Sequence, residues 1–216
     1  MTARISPRAI LLDLDGTLAD SLSVMRLAYQ EFLEKFYVEP TDSEFDSLNG
    51  PPIAEVVRRL KAAHALEGEE TVLRASYFDV IDRAYAGVAP CVGADKLLQK
   101  ARLKHCTVGI VTSNSTKRTQ AWLKTTGLSH LINFIVSSDE VQHGKPSPEP
   151  YLLASERASC PSSMIVAVED SLQGAQSAVD AGLKTFILTE QISRKRSWPS
   201  GMVPIRSLSS LAAQLW

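Results

Sequence analysis

The sequence lacks a long apolar run, a basic excess and a cysteine framework, and each absence removes a class of function. No apolar stretch approaches the ~20 residues that a membrane span needs. The N-terminal MTARISPRAILLDLDG carries arginines but no extended apolar region, so neither a signal peptide nor a membrane partner is expected. Net charge is −1, which leaves no positive field for nucleic acid or an anionic lipid surface. The three cysteines, Cys91, Cys106 and Cys160, are odd in number and far apart, with no Cys-x-x-Cys. They are expected as buried, reduced thiols of a cytoplasmic protein, not as a disulfide or zinc framework. His64, His105, His130 and His143 are not grouped at ligand spacing and are taken as incidental. There is no internal repeat and no low-complexity segment. What is present is a chain of 216 residues with ordinary globular composition, enough for one large domain or a domain with a modest insertion.

The stretch RAILLDLDGT, residues 8–17, organises the rest. Four apolar residues, Ala9 to Leu12, run into Asp13-Leu14-Asp15 and a turn at Gly16-Thr17, which reads as a short buried strand. Side chains alternate along a strand, so Asp13 and Asp15 leave its end on one side. Two carboxylates at the mouth of a buried strand are costly unless a cation or a proton satisfies them. The ordinary alternative is that one caps a helix and the other is solvated.

After Thr17 the apolar period becomes helical: Leu22, Met25, Leu27, Ala28, Phe32, Leu33 and Phe36 predict a helix over about 21–37, with Asp20 and Ser21 as capping oxygens. Glu39-Pro40-Thr41-Asp42 breaks it and offers a cap for another. Asn49-Gly50-Pro51-Pro52 is a turn, and helices are predicted over about 53–66 and 69–85. Residues from about 20 to 88 thus read as an all-helical insert after the first strand. From Val92 helices and strands alternate, with strands at 106–112, 132–136, 164–168 and 184–188. Helices are expected at 94–104, 115–126, 150–158 and 172–181. That alternation predicts a doubly wound, Rossmann-like α/β core with a parallel sheet and right-handed crossovers. Residues 189–206, with Arg194-Lys195-Arg196, are expected as a solvated loop.

Four strand ends carry polar groups of different kinds. The first has Asp13 and Asp15; the second has Thr112, Ser113 and Asn114; the third is followed by His143-Gly144-Lys145-Pro146; the fourth has Glu169 and Asp170. Taken singly, Thr112 and Ser113 suit helix caps, Lys145 a surface position, and Glu169-Asp170 a helix N-terminus. Their joint occurrence on successive strand ends exceeds what capping alone explains. Ligands on such sheets bind beyond the carboxyl ends of the strands.

On these residues the sequence resembles the haloacid dehalogenase superfamily, in particular its phosphoglycolate phosphatase and β-phosphoglucomutase-like group. Asp13-Leu14-Asp15-Gly16-Thr17-Leu18 matches the first motif and Gly109-Ile110-Val111-Thr112 the second. Gly144-Lys145-Pro146-Ser147-Pro148-Glu149-Pro150-Tyr151 matches the third, and Val166-Ala167-Val168-Glu169-Asp170-Ser171 the fourth. The match spans about residues 8 to 190, and the insert falls where the group carries a small helical cap. The resemblance implies a core domain of 1–19 and 90–216 and a cap domain of 20–89, with hinges near Leu18–Ser21 and Val88–Val92. Gly50 matches a glycine of the cap loop facing the core; a plain turn glycine is the equal alternative.

The resemblance also implies a Mg²⁺-dependent phosphatase acting on a small-molecule phosphate monoester. Asp13 would be the nucleophile that becomes an aspartyl-phosphate, and Asp15 the acid and base. Thr112, Ser113, Asn114 and Lys145 would hold the phosphate. Asp13, Glu169, Asp170 and the backbone carbonyl of Asp15 would hold Mg²⁺. The residue types suit that chemistry: attack on a phosphate dianion needs its oxygens neutralised, and Mg²⁺ takes hard oxygen ligands. An internal cap makes a partner subunit unnecessary, so a monomer or weak dimer is expected.

Three alternatives differ in testable ways. A dehalogenase uses a nucleophilic Asp on this fold but has no use for the acidic cluster. A β-phosphoglucomutase carries a histidine ten residues after the second motif Asp, where this chain has Met25. A receiver module shares the Asp, Thr and Lys constellation but is shorter and has no helical insert. Phosphoglycolate, a sugar phosphate and a nucleotide all suit a small cap of mixed polarity, and phosphoglycolate or a sugar phosphate is the expected substrate.

Overall fold

The computed structural model describes residues 6–48, 51–189 and 199–216; Gly50 and Arg194-Lys195-Arg196 lie outside them. The first strand, β1 (Ala9–Leu12), is buried along its whole length. Four helices follow before any second strand: α1 (Leu22–Glu34), α2 (Asp42–Ser47), α3 (Ile53–His64) and α4 (Glu70–Tyr85). Then come α5 (Ala94–Leu103), β2 (Thr107–Val111), α6 (Thr116–Thr126), β3 (Phe134–Val136), α7 (Glu149–Ala158) and β4 (Ile165–Glu169). The chain continues through α8 (Leu172–Asp180), β5 (Lys184–Leu188), β6 (Met202–Ile205) and α9 (Leu208–Leu215).

The described strands form one sheet, wholly parallel, in the order β3-β2-β1-β4-β5-β6. This is the doubly wound α/β architecture expected. Helices cover both faces of such a sheet, which is why AILL, TVGIV and IVAVE are almost continuously apolar. The chain steps from β1 to β2 and β3 on one side, then returns to β4 and proceeds outward to β6. The order therefore reverses between β1 and β4, which pair Leu12 with Val168. A crevice opens beyond the carboxyl ends of strands at such a reversal. Gly109 in β2 admits the Phe134 ring of β3, since a Cβ there would lie 2.5 Å from two ring atoms.

Of the stretch 189–206, expected as a loop, residues 190–198 lie outside the described residues and the remainder corrects the expectation. Met202–Ile205 adds a sixth strand, paired with β5 through Ile187 and Pro204. Only Met202 and Ile205 are buried, and a proline is tolerated because the strand is at the sheet edge. A four-residue strand with a proline has no period-2 signal to read. The following α9 is capped by Ser207, buries Leu208, Leu211 and Leu215, and packs against α5.

Helix α4 packs on both α1 and α3, in a core that includes Tyr29, Phe32, Leu33, Val57, Leu60, Tyr77 and Ile81. The Phe32 and Tyr77 rings are 4.8 Å apart. As expected, Thr41 caps α2. His64 bonds Glu44 at 2.8 Å and ties α3 to α2. The two segments joining this helical insert to the sheet run side by side. The Asp20 amide donates to Ala89 O at 2.9 Å, and the Cys91 amide to Leu18 O at 2.8 Å. All three cysteines are free, but Cys91 and Cys160 are only half-buried, short of the full burial expected. Desolvation pushes the Cys91 and Cys106 thiols up to about 12, so neither is a ready thiolate.

Candidate active site

The capping alternatives fail first. Ser171, not Glu169 or Asp170, caps α8 by accepting from the Gly174 amide at 3.0 Å. Ser115 caps α6, while Thr112 Oγ1 accepts from the Asn114 amide at 3.0 Å. The polar groups at the strand ends are therefore left for one another.

Asp13 leaves β1 with its amide donating to Val168 O at 3.0 Å, which pins it against β4. Its Oδ1 accepts from Lys145 Nζ at 2.5 Å. The same ammonium donates to Glu169 Oε1 at 2.5 Å and to Val111 O at 2.9 Å. All three donors of Lys145 are thereby used. Tyr151, from the first turn of α7, donates to Glu169 Oε1 at 2.8 Å. Asp13, Glu169 and Asp170 each present a carboxylate oxygen, and these lie within 4.8 Å of one another.

Three buried carboxylates against one ammonium leave a net charge of −2 when all are ionised. Desolvation, opposed by Lys145 and reinforced by Glu169 and Asp15, pushes Asp13 up to about 8. Desolvation, then Asp13 and Glu169, raise Asp170 well above the usual carboxylate range. Burial lowers Lys145, but the two carboxylates on it outweigh that and hold it above its ordinary value. Asp170 Oδ2 is buried and has no hydrogen-bond partner. A hard divalent cation fits this donor set: it supplies the missing charge and takes oxygens of this kind.

Asp15 stands apart from that cluster. Its Oδ1 accepts from Ser21 Oγ and from Tyr85 Oη, each at 2.7 Å, and its Oδ2 from Asn114 Nδ2 at 3.2 Å. This corrects the reading of Ser21 as a cap: it is the N-cap residue of α1, but its side chain makes no capping bond. Burial, then the Asp15 charge, raises the Tyr85 phenol well above its ordinary value, so it remains an O–H donor. Asn114 Oδ1 accepts from the Arg118 guanidinium and from the Ser115 amide, so both ends of its side-chain amide are engaged.

Asp13, Asp15, Ser113, Asn114, Lys145, Asp170 and Ser171 share one cavity of about 80 Å³. The insert closes it with Leu22, Met25, Phe45, Leu48, Ile53, Val56 and Tyr77, an apolar lid apart from one phenol. Thr112 and Glu169 are buried behind this wall. The strand ends singled out in the sequence thus meet at one cavity. The sequence does not reveal Tyr85, Arg118 and Tyr151, whose partners lie 70, 36 and 18 residues away.

The profile of the haloacid dehalogenase-like hydrolase family matches residues 10–188. Fructose-1-phosphate phosphatase YqaB of Escherichia coli (strain K12) is 29% identical over 182 residues, covering 81% of this chain and 92% of that protein. Protein SUPPRESSOR OF QUENCHING 1, chloroplastic, of Arabidopsis thaliana is 27% identical over 86% of this chain, which spans 18% of that longer protein. In fold, the chain is similar to the crystal structure of CbbY from Rhodobacter sphaeroides in complex with phosphate. The TM-score is 0.82 at 23% identity, over 95% of this chain and 96% of that one. Among the described residues no helix is long and apolar enough to cross a membrane. A profile that runs from β1 through β5, on a sheet of this order with the acidic cluster at its switch point, leaves one assignment: the chain belongs to the haloacid dehalogenase-like hydrolase family.

Proposed function

We propose that this protein is a Mg²⁺-dependent phosphatase of small-molecule phosphate monoesters, working through an aspartyl-phosphate on Asp13. The observation that carries the reading is the convergence of Asp13, Lys145 and Asp170, from three separate strand ends, in one buried cluster with a net negative charge. The catalytic core is residues 1–19 and 90–216, and residues 20–89 form a cap that covers it; the helices-only stretch between β1 and α5 supports that division.

Asp13, Asp170, Glu169 and the Asp15 carbonyl would hold Mg²⁺. When bound, the ion neutralises the phosphoryl oxygens and the excess charge of the cluster. Lys145 balances Asp13 and Glu169 and keeps the nucleophile oriented. Ser113, on the cavity wall ahead of α6, receives the phosphate, and Thr112 behind it orders that loop by accepting from the Asn114 amide. Asn114 belongs to the phosphate pocket, but its side chain serves Asp15.

One Asp13 oxygen attacks phosphorus in line, the bond to the ester oxygen breaks, and that oxygen takes a proton from Asp15. In the second step Asp15 removes a proton from water as the water attacks phosphorus and releases Asp13. The apolar lid excludes bulk water during both steps.

The named substrate of the Escherichia coli relative makes a sugar phosphate the first candidate for this chain. Met25 lines the cavity and offers no proton acceptor where a phosphomutase would carry its histidine, which disfavours the mutase reading. A cytoplasmic location belongs to this reading, supported by three free thiols. The test is release of inorganic phosphate from a panel of metabolite phosphates, with Mg²⁺ and after chelation, in wild type and Asp13→Asn. Multiple turnovers that need both Mg²⁺ and Asp13 are expected. Turnover that survives chelation or the Asn variant overturns the assignment.

A further inference from the structure

Helix α4 sends one face toward the core and not toward its own helical neighbours. Phe78, Asp82 and Tyr85 recur at i, i+4 and i+7, so they share that face. Arg118, buried on α6, meets all of this stripe but its end. Its guanidinium stacks 5.1 Å from the Phe78 ring and donates through Nε to Asp82 Oδ1 at 2.7 Å. It also donates to Asn114 Oδ1. The end of the stripe, Tyr85, reaches Asp15 itself at 2.7 Å.

Both oxygens of Asp15 are thus held by groups that answer to α4. Oδ1 is bonded directly by Tyr85, and Oδ2 by Asn114, whose amide is oriented by Arg118. We infer that Tyr85 is a positioning residue: it aligns Asp15 for proton transfer to the leaving group only while α4 is seated on the core. The inference rests on Asp15 being the acid of the proposed reaction.

The geometry has a directional consequence. A carboxylate has two rotatable bonds, and Ser21 alone, on one oxygen, leaves the plane of the group free to turn. Tyr85 on the same oxygen and Asn114 on the other remove that freedom. The Arg118–Asp82 pair that seats the helix has one buried and one mostly exposed partner, with side-chain exposures of 8% and 60%. Exposed carboxylates pair weakly and exchange readily with water. That pair is the water-accessible part of the seat, and Asp15 keeps its working orientation as long as α4 stays on the core.

The experiment uses leaving groups of different proton demand. For an alkyl phosphate, cleavage of the P–O bond puts the electron pair on an oxygen that needs a proton from Asp15. For 4-nitrophenyl phosphate the departing phenolate is stable without one. The quantity kcat/KM covers the steps up to that cleavage, so it is not masked by slow hydrolysis of the aspartyl-phosphate. Tyr85→Phe keeps the ring and removes only the hydroxyl. It is expected to lower kcat/KM for the best alkyl phosphate about tenfold or more, with less than about a threefold change for the aryl ester. The retained aryl activity reports that the variant is folded. Equal losses on both esters, or none on either, overturn the role of Tyr85. Asp15→Asn is measured alongside: if it keeps wild-type kcat/KM on the alkyl ester, the acid assignment fails; if it loses that ester while Tyr85→Phe shows no selectivity, only the role of Tyr85 fails.

Discussion

Gly174 faces Glu169 at a distance that leaves no room for a methyl group: a Cβ on Gly174 would lie 2.2 Å from both carboxylate oxygens. Helix α8 is held there by its Ser171 cap on the Gly174 amide, so the backbone does not simply retreat. Glu169 must turn instead, away from Lys145 and Tyr151. Gly174→Ala is expected to cost about 1–3 kcal/mol, as overpacking of a tight interior does. Chemical denaturation measures that loss. The displaced Glu169 releases Lys145, so kcat/KM on the best substrate is expected to fall at least about tenfold. A variant with wild-type stability and rate would show that Glu169 has freedom the packing denies.

Lys145 is the counter-charge for two buried carboxylates. Removing one member of a buried ion pair strands the other and costs about 3–5 kcal/mol. Lys145→Ala strands Asp13 and Glu169 together. Its loss of stability is expected to shrink at acid pH, where Asp13 takes up a proton, and on addition of Mg²⁺. Its kcat is expected to fall about 10²–10³-fold, as for loss of one charged stabiliser of a transition state. Thermal melts across pH and steady-state assays check both. A penalty independent of pH and metal would mean that the ammonium acts through packing alone.

The raised carboxylates set a sign for metal binding. Asp13 stands at about 8 in the folded protein, first through desolvation, and Asp170 is raised as well. In the unfolded chain both titrate near ~4. A group whose folded value is raised stabilises the fold at pH below its unfolded value, and that contribution is lost as pH climbs through the folded value. Metal-free protein is therefore expected to lose stability from about pH 4 to about pH 8 at this site. A divalent cation competes with protons for the same oxygens. The rise in Tm produced by excess Mg²⁺ is thus expected to be larger at about pH 8.5 than at about pH 6. A rise that is constant or falls with pH contradicts a cation held by Asp13 and Asp170.

How much of this was legible beforehand depends on the range of each signal. The strands β1, β2, β4 and β5 declare themselves because burial on both faces demands continuous apolar runs. Asp13 and Asp170 are legible because each closes such a run, where a polar residue has little structural reason to be, whereas Lys145, beyond a polar loop after β3, is legible only within the Gly144–Tyr151 motif. Ser21 misleads because its position at the start of α1 suits a cap, and only the fold reveals that Asp15 is the better partner. Tyr85 reads as one more apolar position of an amphipathic helix; periodicity assigns a residue to a face but does not say what that face meets. Asp82 and Arg118 look like ordinary surface charges until α4 and α6 come together.

The β6–α9 segment was the least legible part of the sheet, and its weight in the fold can be measured. Leu208, Leu211 and Leu215 are almost wholly buried against the face where α9 meets α5. Each such side chain contributes roughly 1.5–3 kcal/mol by leaving water. Their sum is comparable with the whole net stability of a domain, about 5–15 kcal/mol. Yet none of the three lines the cavity at the strand ends. Leu211→Ala, which removes one of them, is expected to lower stability by about 2–5 kcal/mol while kcat and KM on the best substrate stay at wild-type values below the melting range. Denaturant titration and steady-state kinetics on the same preparation separate the two. If Leu211→Ala leaves stability unchanged, α9 is an appendage and the structural core ends at β5; if it lowers kcat at full folding, the segment communicates with the site along β5 and β4.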